Sequence, residues 1–545
     1  MFTCSGNACR DAIDMVFNKK RAGDRKTWLE DYDRDDFMDT SLQTVPYKDF
    51  ISKEMIHFSK YDCDRSIPNL MDGFKISLRK IMFSAFKKPL NKEVKVAQLS
   101  GYVSEHSGYH HGEASLNGAI VGLAQNFVGS NNINLLVPNG QFGTRLQGGK
   151  DSASERYIFT LLSSITRQIF PQADDDILEY LNDDGLSVEP VFYAPIIPMI
   201  LVNGSDGIGT GFSTKILSYN PIDIINWLKL TLSNQNELAN GIKFVPFYNG
   251  FKGTITEIQN NKFLVRGCYH KVKDNVVQIT ELPVGTWTND YKEFIESMLA
   301  DNKTSKKEGF IKDYQDLCTD TDINFTLTLI PGTIEKLEAQ ESDHGCNALE
   351  KALKLYTTQS ATNMHLFNAK EHLEKYESVQ DIMKAYYETR LSLYDTRKKF
   401  QLEKYRDELK WLSNKARYIV ENLEGTIDLR RKKQEEINQL LDDKQYDRSD
   451  GNFKYLTKMP MDSVTEENVE KLLKEKGNKE QELSALEANP ITAIWSEELD
   501  QLLAEYQKTI VKRTTQTADE PVKKVIKRKP PCKKLKTIEN KAQAQ

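Results

Sequence analysis

The stretch LSLYDTRKKFQLEKYRDELKWLSNKARYIVENL, Leu391 to Leu423, places its apolar residues three or four positions apart. This spacing puts them on one face of a helix, and a run of this length is typical of a coiled coil. Lys398 interrupts the stripe. The stripe consists of Leu391, Tyr394, Leu402, Tyr405, Leu409, Leu412, Ala416, Ile419 and Leu423. We therefore predict one long helix from Val379 onward.

The residues after this helix predict a second arm. A polar interval follows, and then Ser463 with Glu466 forms a capping box that opens a helix through Glu487. A third helical run carries Trp495, Leu499, Leu502, Leu503, Tyr506 and Ile510. We predict antiparallel coiled-coil arms over 376–510 with a small module at about 422–460. Residues 511–545 hold eleven basic residues against three acidic ones, which predicts a disordered tail.

The residues before this helix predict three further segments. Residues 1–42 contain a helix from about Cys9 to Tyr32 and then an acidic loop. Helices joined by short turns and carrying basic residues over 43–170 suggest a helix-turn-helix or winged-helix unit. Between about Pro190 and Ile330 the pattern changes to short β-rich runs, which predicts an α+β domain. These runs are APIIPMILVNG, FKGTITEI, KFLVRGCY, NVVQITELPV and INFTLTLI.

Composition excludes some classes of protein. Hydrophobic residues make up 39% and charged residues 28% of the chain, as in soluble globular proteins. We find no apolar run of membrane-spanning length and no signal peptide, so we expect an intracellular protein without a membrane partner. Seven cysteines form no CxxC pair, which indicates reduced thiols. The net charge of −5 is uneven, because Gly73 to Ser100 carry seven basic residues and one acid.

An arginine and a tyrosine stand together in GGKDSASERYIFT, Gly148 to Thr160. A phenol is a poor nucleophile at neutral pH unless a neighbouring cation favours the phenolate, and Arg156 supplies such a cation to Tyr157. Attack on a phosphodiester would form a phosphotyrosine link that the released sugar hydroxyl can reverse. On the pair alone, a tyrosine that begins a buried segment beside a surface arginine is the alternative.

Longer motifs resemble a known family. They are RSIPNLMDGFK, KVAQLSGYVSEHSGYHHGE, LAQNFVGSNNINLLVPNGQFGTRLQGGKDSASERYIFT, PIIPMILVNGSDGIGTGF and ITELPVGTWT. From about Asp11 to Ile510 the chain resembles the breakage-reunion region of type IIA DNA topoisomerases in their eukaryotic and giant-virus form. The resemblance implies that Tyr157 joins the 5′ phosphate of cut DNA, with Arg156 as its phosphate-binding neighbour. It also implies a winged-helix domain over 43–170 and a tower domain over 171–375.

The same resemblance assigns residues to bent double-stranded DNA. It implies that the duplex is lined by Arg65, Lys75, Arg79, Lys80, His110 and His111, and that Ile208 wedges between base pairs. Each assignment has an ordinary alternative. A charge run is often a solvated face, paired histidines can stabilise a turn, and Ile208 can fill a core.

The metal and nucleotide requirements of the family have no clear counterpart in the sequence. Asp31, Asp33 and Asp35 match a DxDxD metal motif of the TOPRIM domain, but they follow helical KTWLEDY, so we expect a solvated loop and no metal ligands. The resemblance implies that the complete enzyme uses Mg²⁺ and ATP, bound mainly by domains absent from this chain. A partner chain carrying the ATPase and TOPRIM domains, or a truncation, would explain this.

We therefore predict the DNA-cleaving and rejoining portion of a type II DNA topoisomerase, an ATP-dependent isomerase acting as a homodimer. Each of two protomers would hold a cut strand while a second duplex passes. A non-catalytic architectural winged-helix protein is the alternative, and a meiotic-type break-forming protein, which would not need the long arms, is another. KKVIKRKPPCKKLK in the tail resembles a nuclear localisation signal, which suggests the nucleus or a virus of a eukaryotic host. Nonspecific attraction to DNA explains the same charges equally well.

Overall fold

The computed structural model describes residues 1–4, 6–33, 35–39, 41–88, 90, 92–300, 309–429, 432–449, 451–460 and 466–518. Its α+β content agrees with the fold class expected from the sequence. Among the described residues, no helix is long and apolar enough to cross a membrane.

The first 66 residues are mainly helical. Their elements are β1 (Phe2–Thr3), α1 (Gly6–Phe17), a 3-10 turn (Lys19–Arg21), α2 (Ala22–Glu30), β2 (Val45–Pro46), α3 (Tyr47–Phe50), a π turn (Ile51–Met55) and α4 (Ile56–Ser66). The single helix expected over Cys9 to Tyr32 is wrong, because the chain breaks after Phe17. Arg25 stabilises this break by donating to the carbonyls of Met15 and Asn18 at 2.8 and 2.7 Å.

The next segment contains helices and two very short strands. Its elements are α5 (Ile76–Lys87), β3 (Val94–Lys95), α6 (Val96–Ser107), α7 (Glu113–Ala124), β4 (Phe159–Thr160), α8 (Thr166–Ile169) and a 3-10 turn (Gln172–Ile177). Strands β3 and β4 pair in antiparallel register, with Val94 opposite Thr160. Apolar faces of α5, α6 and α7 enter the largest hydrophobic core of the described residues.

Residues 178–376 contain most of the strands. Their elements are β5 (Tyr180–Asp183), β6 (Leu186–Pro190), α9 (Met199–Asn203), β7 (Ser205–Gly209), β8 (Phe212–Ile216), α10 (Pro221–Leu232), α11 (Asn236–Asn240), β9 (Thr254–Gln259), β10 (Lys262–Arg266), β11 (Cys268–Lys273), β12 (Val276–Glu281), α12 (Thr288–Ser297), β13 (Ile311–Asp316), β14 (Phe325–Leu329), α13 (Thr333–Glu338), a 3-10 turn (Asp343–Gly345), α14 (Ala348–Ala352), β15 (Tyr356–Ser360), β16 (Met364–Phe367) and β17 (Leu373–Tyr376).

Two larger antiparallel sheets occur in this segment. One has the strand order β15-β10-β9, and the other has the order β11-β12-β14-β13. Four of the five predicted β-rich runs contain strands of these sheets. The run APIIPMILVNG is the exception, because Met199–Asn203 is helical. Met199, Ile200, Leu201 and Val202 are all buried, so hydrophobic periodicity does not distinguish a strand from a buried helix in this run.

The predicted arms are present as two long helices packed against each other. The elements are α15 (Val379–Leu423), α16 (Gln434–Asp443), α17 (Lys454–Thr457), α18 (Glu466–Ala488) and α19 (Ile491–Ala518). Helices α15 and α18 run antiparallel, since Arg406 pairs with Glu487 whereas Glu408 pairs with Lys479. Ser463 of the predicted capping box lies outside the described residues.

Lys398 has a structural role that explains its position in the apolar stripe. Its ammonium donates to the carbonyls of Glu487 and Asn489 at 3.1 and 2.7 Å. These carbonyls belong to the end of α18, where they have no partner within the helix. The break in the stripe therefore marks the point where α15 caps α18.

The basic tail begins later than expected. Helix α19 continues to Ala518, so a disordered segment from 511 is wrong for 511–518. Arg513 donates to the carbonyl of Asn132 at 3.3 Å and to the side-chain oxygen of Asn134, which holds this end of the helix against the body. Residues 519–545 lie outside the described part of the chain.

Candidate active site and nucleic-acid interface

Tyr157 lies on a turn that the surrounding backbone holds in place. Its side chain is 72% exposed, whereas the next residue, Ile158, is buried. The Tyr157 amide donates to the carbonyl of Ser154 at 2.9 Å. The Ile158 carbonyl accepts from the Val96 amide at 3.1 Å, at the start of α6. A buried neighbour and these backbone hydrogen bonds leave the phenol exposed at the surface, so Tyr157 itself is not part of the buried segment that begins at Ile158.

Arg156 faces the same space as Tyr157. Its guanidinium lies 5.9 Å from the centroid of the Tyr157 ring, and the side chain is exposed. In the described part of the chain, no hydrogen bond or ion pair involves this guanidinium. All five of its N–H donors are therefore available to an anion such as a phosphate.

The glycine-rich approach to Tyr157 is packed against a more distant segment. Gly148 has a φ of +61°, and the indole of Trp287 lies where a side chain at this position would stand. The neighbouring Arg145 is buried and pairs with Glu281. Glu281 and Trp287 both lie in the motif ITELPVGTWT, but the sequence did not predict these contacts, because Arg145 and Glu281 are 136 positions apart in the chain.

His110 and His111 lie in the turn between α6 and α7. Gly108 ends α6 in the left-handed region with a φ of 59°. His110 is exposed, with Nε2 3.4 Å from Asp183 Oδ2. His111 Nε2 lies 2.7 Å from the hydroxyl of Tyr61, a residue that no sequence motif singled out.

The charges around His111 form a local positive field. Burial lowers the pKa of His111, and the positive charges of Arg65, His110 and Lys80 lower it further. Arg65 is exposed at the end of α4, and among the described residues it has no ion-pair or hydrogen-bond partner. Its guanidinium is therefore available for a phosphate beside His111.

Arg79 and Lys80 point inward, which does not fit their expected contact with DNA. Arg79 is 7% exposed, and its Nε donates to Asp72 at 2.7 Å. Lys80 forms an ion pair of 2.8 Å with Glu189 and donates to the Ser107 carbonyl. Since buried carboxylates neutralise both cations, we leave these two residues out of the proposed interface.

Lys75 is partly engaged by the protein and partly available to a ligand. Its ammonium donates to the carbonyl of Asp206 at 2.7 Å, so it connects the start of α5 to the β7–β8 hairpin. Burial lowers the pKa of Lys75. One of its three donors is used by this contact, and the others remain for solvent or a ligand.

Ile208 is 85% exposed, which excludes the alternative that it fills a core. It lies in β7, opposite Ser213 of β8. Gly207 and Gly209 face α4, and a side chain at Gly207 would collide with the Ser66 carbonyl. Because successive residues of a strand face opposite sides, the close approach of the two glycines turns Ile208 outward.

The acidic loop follows α2 and is exposed at its three alternating aspartates. Asp31 follows the end of α2, and Asp31, Asp33 and Asp35 are all exposed. Within the described ranges, no group of three or more His, Cys, Asp or Glu side chains is arranged to hold a metal ion. The Mg²⁺ that the resemblance implies therefore has no assigned ligands among the described residues.

Comparisons with known proteins show the family to which the chain belongs. The family described as the A subunits of DNA gyrase/topoisomerase IV matches residues 65–500, which include Tyr157 and Ile208. The family described as the C-terminal associated domain of TOPRIM matches residues 1–63. The first match covers most of the chain, so the chain belongs to this gyrase/topoisomerase IV family of type IIA topoisomerases. The resemblance drawn from the sequence is thus confirmed.

Individual relatives are eukaryotic and viral. DNA topoisomerase 2 of Plasmodium falciparum (isolate K1 / Thailand) is 40% identical over 94% of this chain and 38% of its own length. DNA topoisomerase 2 of Acanthamoeba polyphaga mimivirus is 39% identical over 91% of this chain and 44% of its own length. The chain thus spans about two fifths of these curated relatives.

A solved structure matches nearly the whole chain. It is the crystal structure of the Plasmodium falciparum topoisomerase II DNA-binding, cleavage and re-ligation domain, with a TM-score of 0.84 and 40% identity. The match covers 95% of this chain and 72% of that one.

Proposed function

We propose that this chain cleaves and rejoins double-stranded DNA as part of a type II topoisomerase, with Tyr157 as the nucleophile. The observation that carries this proposal is the exposed phenol of Tyr157, on a pinned turn beside the unpaired Arg156. An exposed tyrosine alone is common. One that lies beside a free guanidinium, within the matched region 65–500, has the chemistry that strand cleavage needs.

The proposed reaction conserves phosphodiester bonds. The Tyr157 oxygen attacks a backbone phosphorus, the tyrosine O–P bond forms, and the P–O bond to the 3′ hydroxyl breaks. The phenol proton leaves, and the departing sugar oxygen gains one. Arg156 binds the non-bridging oxygens and offsets the charge that builds up in the transition state. The reverse attack by the 3′ hydroxyl restores the strand without external energy.

The proposed DNA path joins the exposed groups around this turn. Arg65, His110 and His111 supply contacts to the backbone, and Ile208 inserts between base pairs to bend the duplex. We assign the winged-helix domain to 43–170, the tower domain to 171–375 and the coiled-coil arms to 376–510. Two copies would associate through the module at 422–460 and hold both cut strands.

The metal and nucleotide steps are proposed to depend on residues outside this chain. A partner chain with the ATPase and TOPRIM domains is the proposed source of both activities. We also propose that the protein acts in the nucleus or during viral replication in a eukaryotic host. No comparison favours the architectural alternative, and the 45-residue helix α15 is not needed by a meiotic-type protein.

Covalent capture of DNA tests this proposal. Labelled duplex is incubated with the chain and a polypeptide that carries the ATPase and TOPRIM domains, and the reaction is stopped with denaturant. We expect labelled DNA attached to the wild-type chain and none attached to Tyr157→Phe, which still binds DNA. Tyr180→Phe, another exposed tyrosine, is the matched control and should be captured normally. Capture by Tyr157→Phe would show that the assigned nucleophile is wrong.

A further inference from the structure

Helix α4 carries a second tyrosine at the nucleic-acid interface. The Tyr61 hydroxyl lies 2.7 Å from His111 Nε2, although the two residues are 50 positions apart in the chain. Arg65 follows Tyr61 by four residues, so both side chains lie on one face of the helix. The pair Tyr61–His111 and the free guanidinium of Arg65 therefore meet at one place on the surface.

The imidazole of His111 is held on two sides. The Tyr109 ring meets it edge-on with centroids 5.3 Å apart, and the Tyr61 ring is tilted with centroids 5.9 Å apart. Its Nε2 contacts the Tyr61 hydroxyl. Within the described residues, Nδ1 has no hydrogen-bond partner. The ring is thus oriented by the protein and keeps one nitrogen for a ligand.

The protonation state of the ring decides what Nδ1 can do. Burial and the charges of Arg65, His110 and Lys80 lower the pKa of His111, which favours the neutral imidazole. A neutral imidazole has one N–H donor and one acceptor nitrogen. If the phenol donates to Nε2, Nδ1 carries the proton and becomes a donor.

We propose that Tyr61 is a positioning residue that donates to His111 Nε2 and thereby directs the Nδ1–H of His111 at a DNA phosphate oxygen beside Arg65. This inference rests on the proposed function, because DNA is its ligand. The next residue on the same helix, Asp62, accepts from the Thr210 hydroxyl at 2.7 Å. Helix α4 therefore also holds the turn of the β7–β8 hairpin, which carries Ile208. This contact fixes the distance between the proposed phosphate contact of His111 and Ile208.

Binding of a fluorescent duplex, measured by anisotropy in the Tyr157→Phe chain, tests the proposal without any cleavage. Tyr61→Phe keeps the ring and removes the hydroxyl, so we expect about fivefold weaker binding, the usual size of one hydrogen bond. The salt dependence should not change, since no charge is removed. Tyr102→Phe is the matched control, because the Tyr102 ring stacks on His106 with centroids 4.0 Å apart and, among the described residues, no hydrogen bond involves its hydroxyl, so binding should equal that of the parent.

A double-mutant cycle separates this role from ordinary packing. In the His111→Ala background, Tyr61→Phe should cause no further loss of binding. Nitrogen-15 shifts of labelled histidines supply a second readout, with His111 protonated at Nδ1 in the parent and tautomers mixed in Tyr61→Phe. Equal losses in both backgrounds, or a proton on Nε2 in the parent, would overturn the inference.

Arg65→Ala distinguishes a wrong role of Tyr61 from a wrong DNA interface. If Arg65→Ala weakens binding and the cycle shows no coupling, only the role of Tyr61 is wrong. If neither Arg65→Ala nor His111→Ala affects binding, the proposed DNA interface itself is wrong, and the inference about Tyr61 is overturned with it.

Discussion

Ile208 is exposed because both of its neighbours in β7 are glycines that approach α4 closely. The cost of exposing a large aliphatic side chain to water is tolerated where that side chain has a binding role. To insert between base pairs, the Ile208 side chain must be carried by a rigid backbone. The Lys75 contact to Asp206 and the pairing of β7 with β8 hold that backbone.

We predict that Ile208→Ala reduces DNA bending more than it reduces charge-driven binding. Unstacking a base step costs a few kcal/mol, and the inserted Ile208 side chain offsets that cost. Without this side chain the duplex should bend less, whereas the phosphate contacts remain. Fluorescence transfer between dyes at the ends of a duplex measures the bend angle. Leu238→Ala, which removes an aliphatic side chain 64% exposed on α11, is the control and should leave the bend unchanged. An unchanged angle in Ile208→Ala would remove the wedge assignment.

Basic residues only a few positions apart should respond differently to substitution. Arg65→Ala should lower the slope of log affinity against log salt by about 1, because one phosphate contact is lost. Arg79→Met should leave that slope unchanged and lower the melting temperature, because Asp72 would lose a buried partner. A reduced slope in correctly folded Arg79→Met would return Arg79 to the DNA interface.

Among the larger elements, α15 and α19 are joined to the body by a buried polar cluster. Arg390 is fully buried and pairs with Asp174 at 2.7 Å. Arg397 contacts Asp174 at 3.4 Å and Glu498 of α19 at 2.6 Å. The Tyr394 ring lies between the two guanidinium groups, 4.0 and 4.4 Å from them. The cluster holds the base of the arms against the DNA-binding body.

We predict that Arg390→Met destabilises the protein by about 3 kcal/mol, because it removes the closer of the two partners of the buried Asp174 and leaves only the 3.4 Å contact with Arg397. Calorimetry should show a lower melting temperature. Arg406→Met on the same helix breaks the exposed pair with Glu487 and should melt close to wild type, since exposed pairs contribute little. Similar melting temperatures for the two variants would contradict the structural role of the cluster.

Across the molecule as a whole, the module between the arms has a core of its own. Its buried apolar residues are Tyr418, Ile427, Leu441, Tyr446, Phe453 and Leu456. The module follows α15 at its C-terminal end, whereas Arg390 near the start of α15 packs against Asp174. A separate core at this distance is suited to joining two protomers while the DNA between them is open.

We predict that replacing 422–460 by a short flexible linker converts dimers to monomers. Ile158 beside Tyr157 lies in a different hydrophobic core from the module, so DNA binding by each protomer should remain. Analytical sedimentation at low micromolar concentration measures the change, and the Tyr157→Phe chain is the dimeric control. Dimers that persist without the module would place the main interface elsewhere.

Local pattern was sufficient for most of the elements and for the family. The steps of three and four predict α15 and its partner helices, and the motif around Arg156 and Tyr157 indicates phosphodiester chemistry without any knowledge of contacts. The break between α1 and α2 was missed, because the Arg25 contacts that hold it come from the folded chain.

Periodicity and motifs are properties of neighbouring residues, and they were enough to predict most of the elements, the family and the candidate nucleophile. Which basic residues face a ligand depends on the folded chain. Lys80 turns inward because Glu189 lies beside it in the fold, although the two are 109 positions apart in the chain. His111 is oriented by Tyr61 for the same reason. The direction of a charged side chain depends on partners that folding brings together, and no local pattern encodes them.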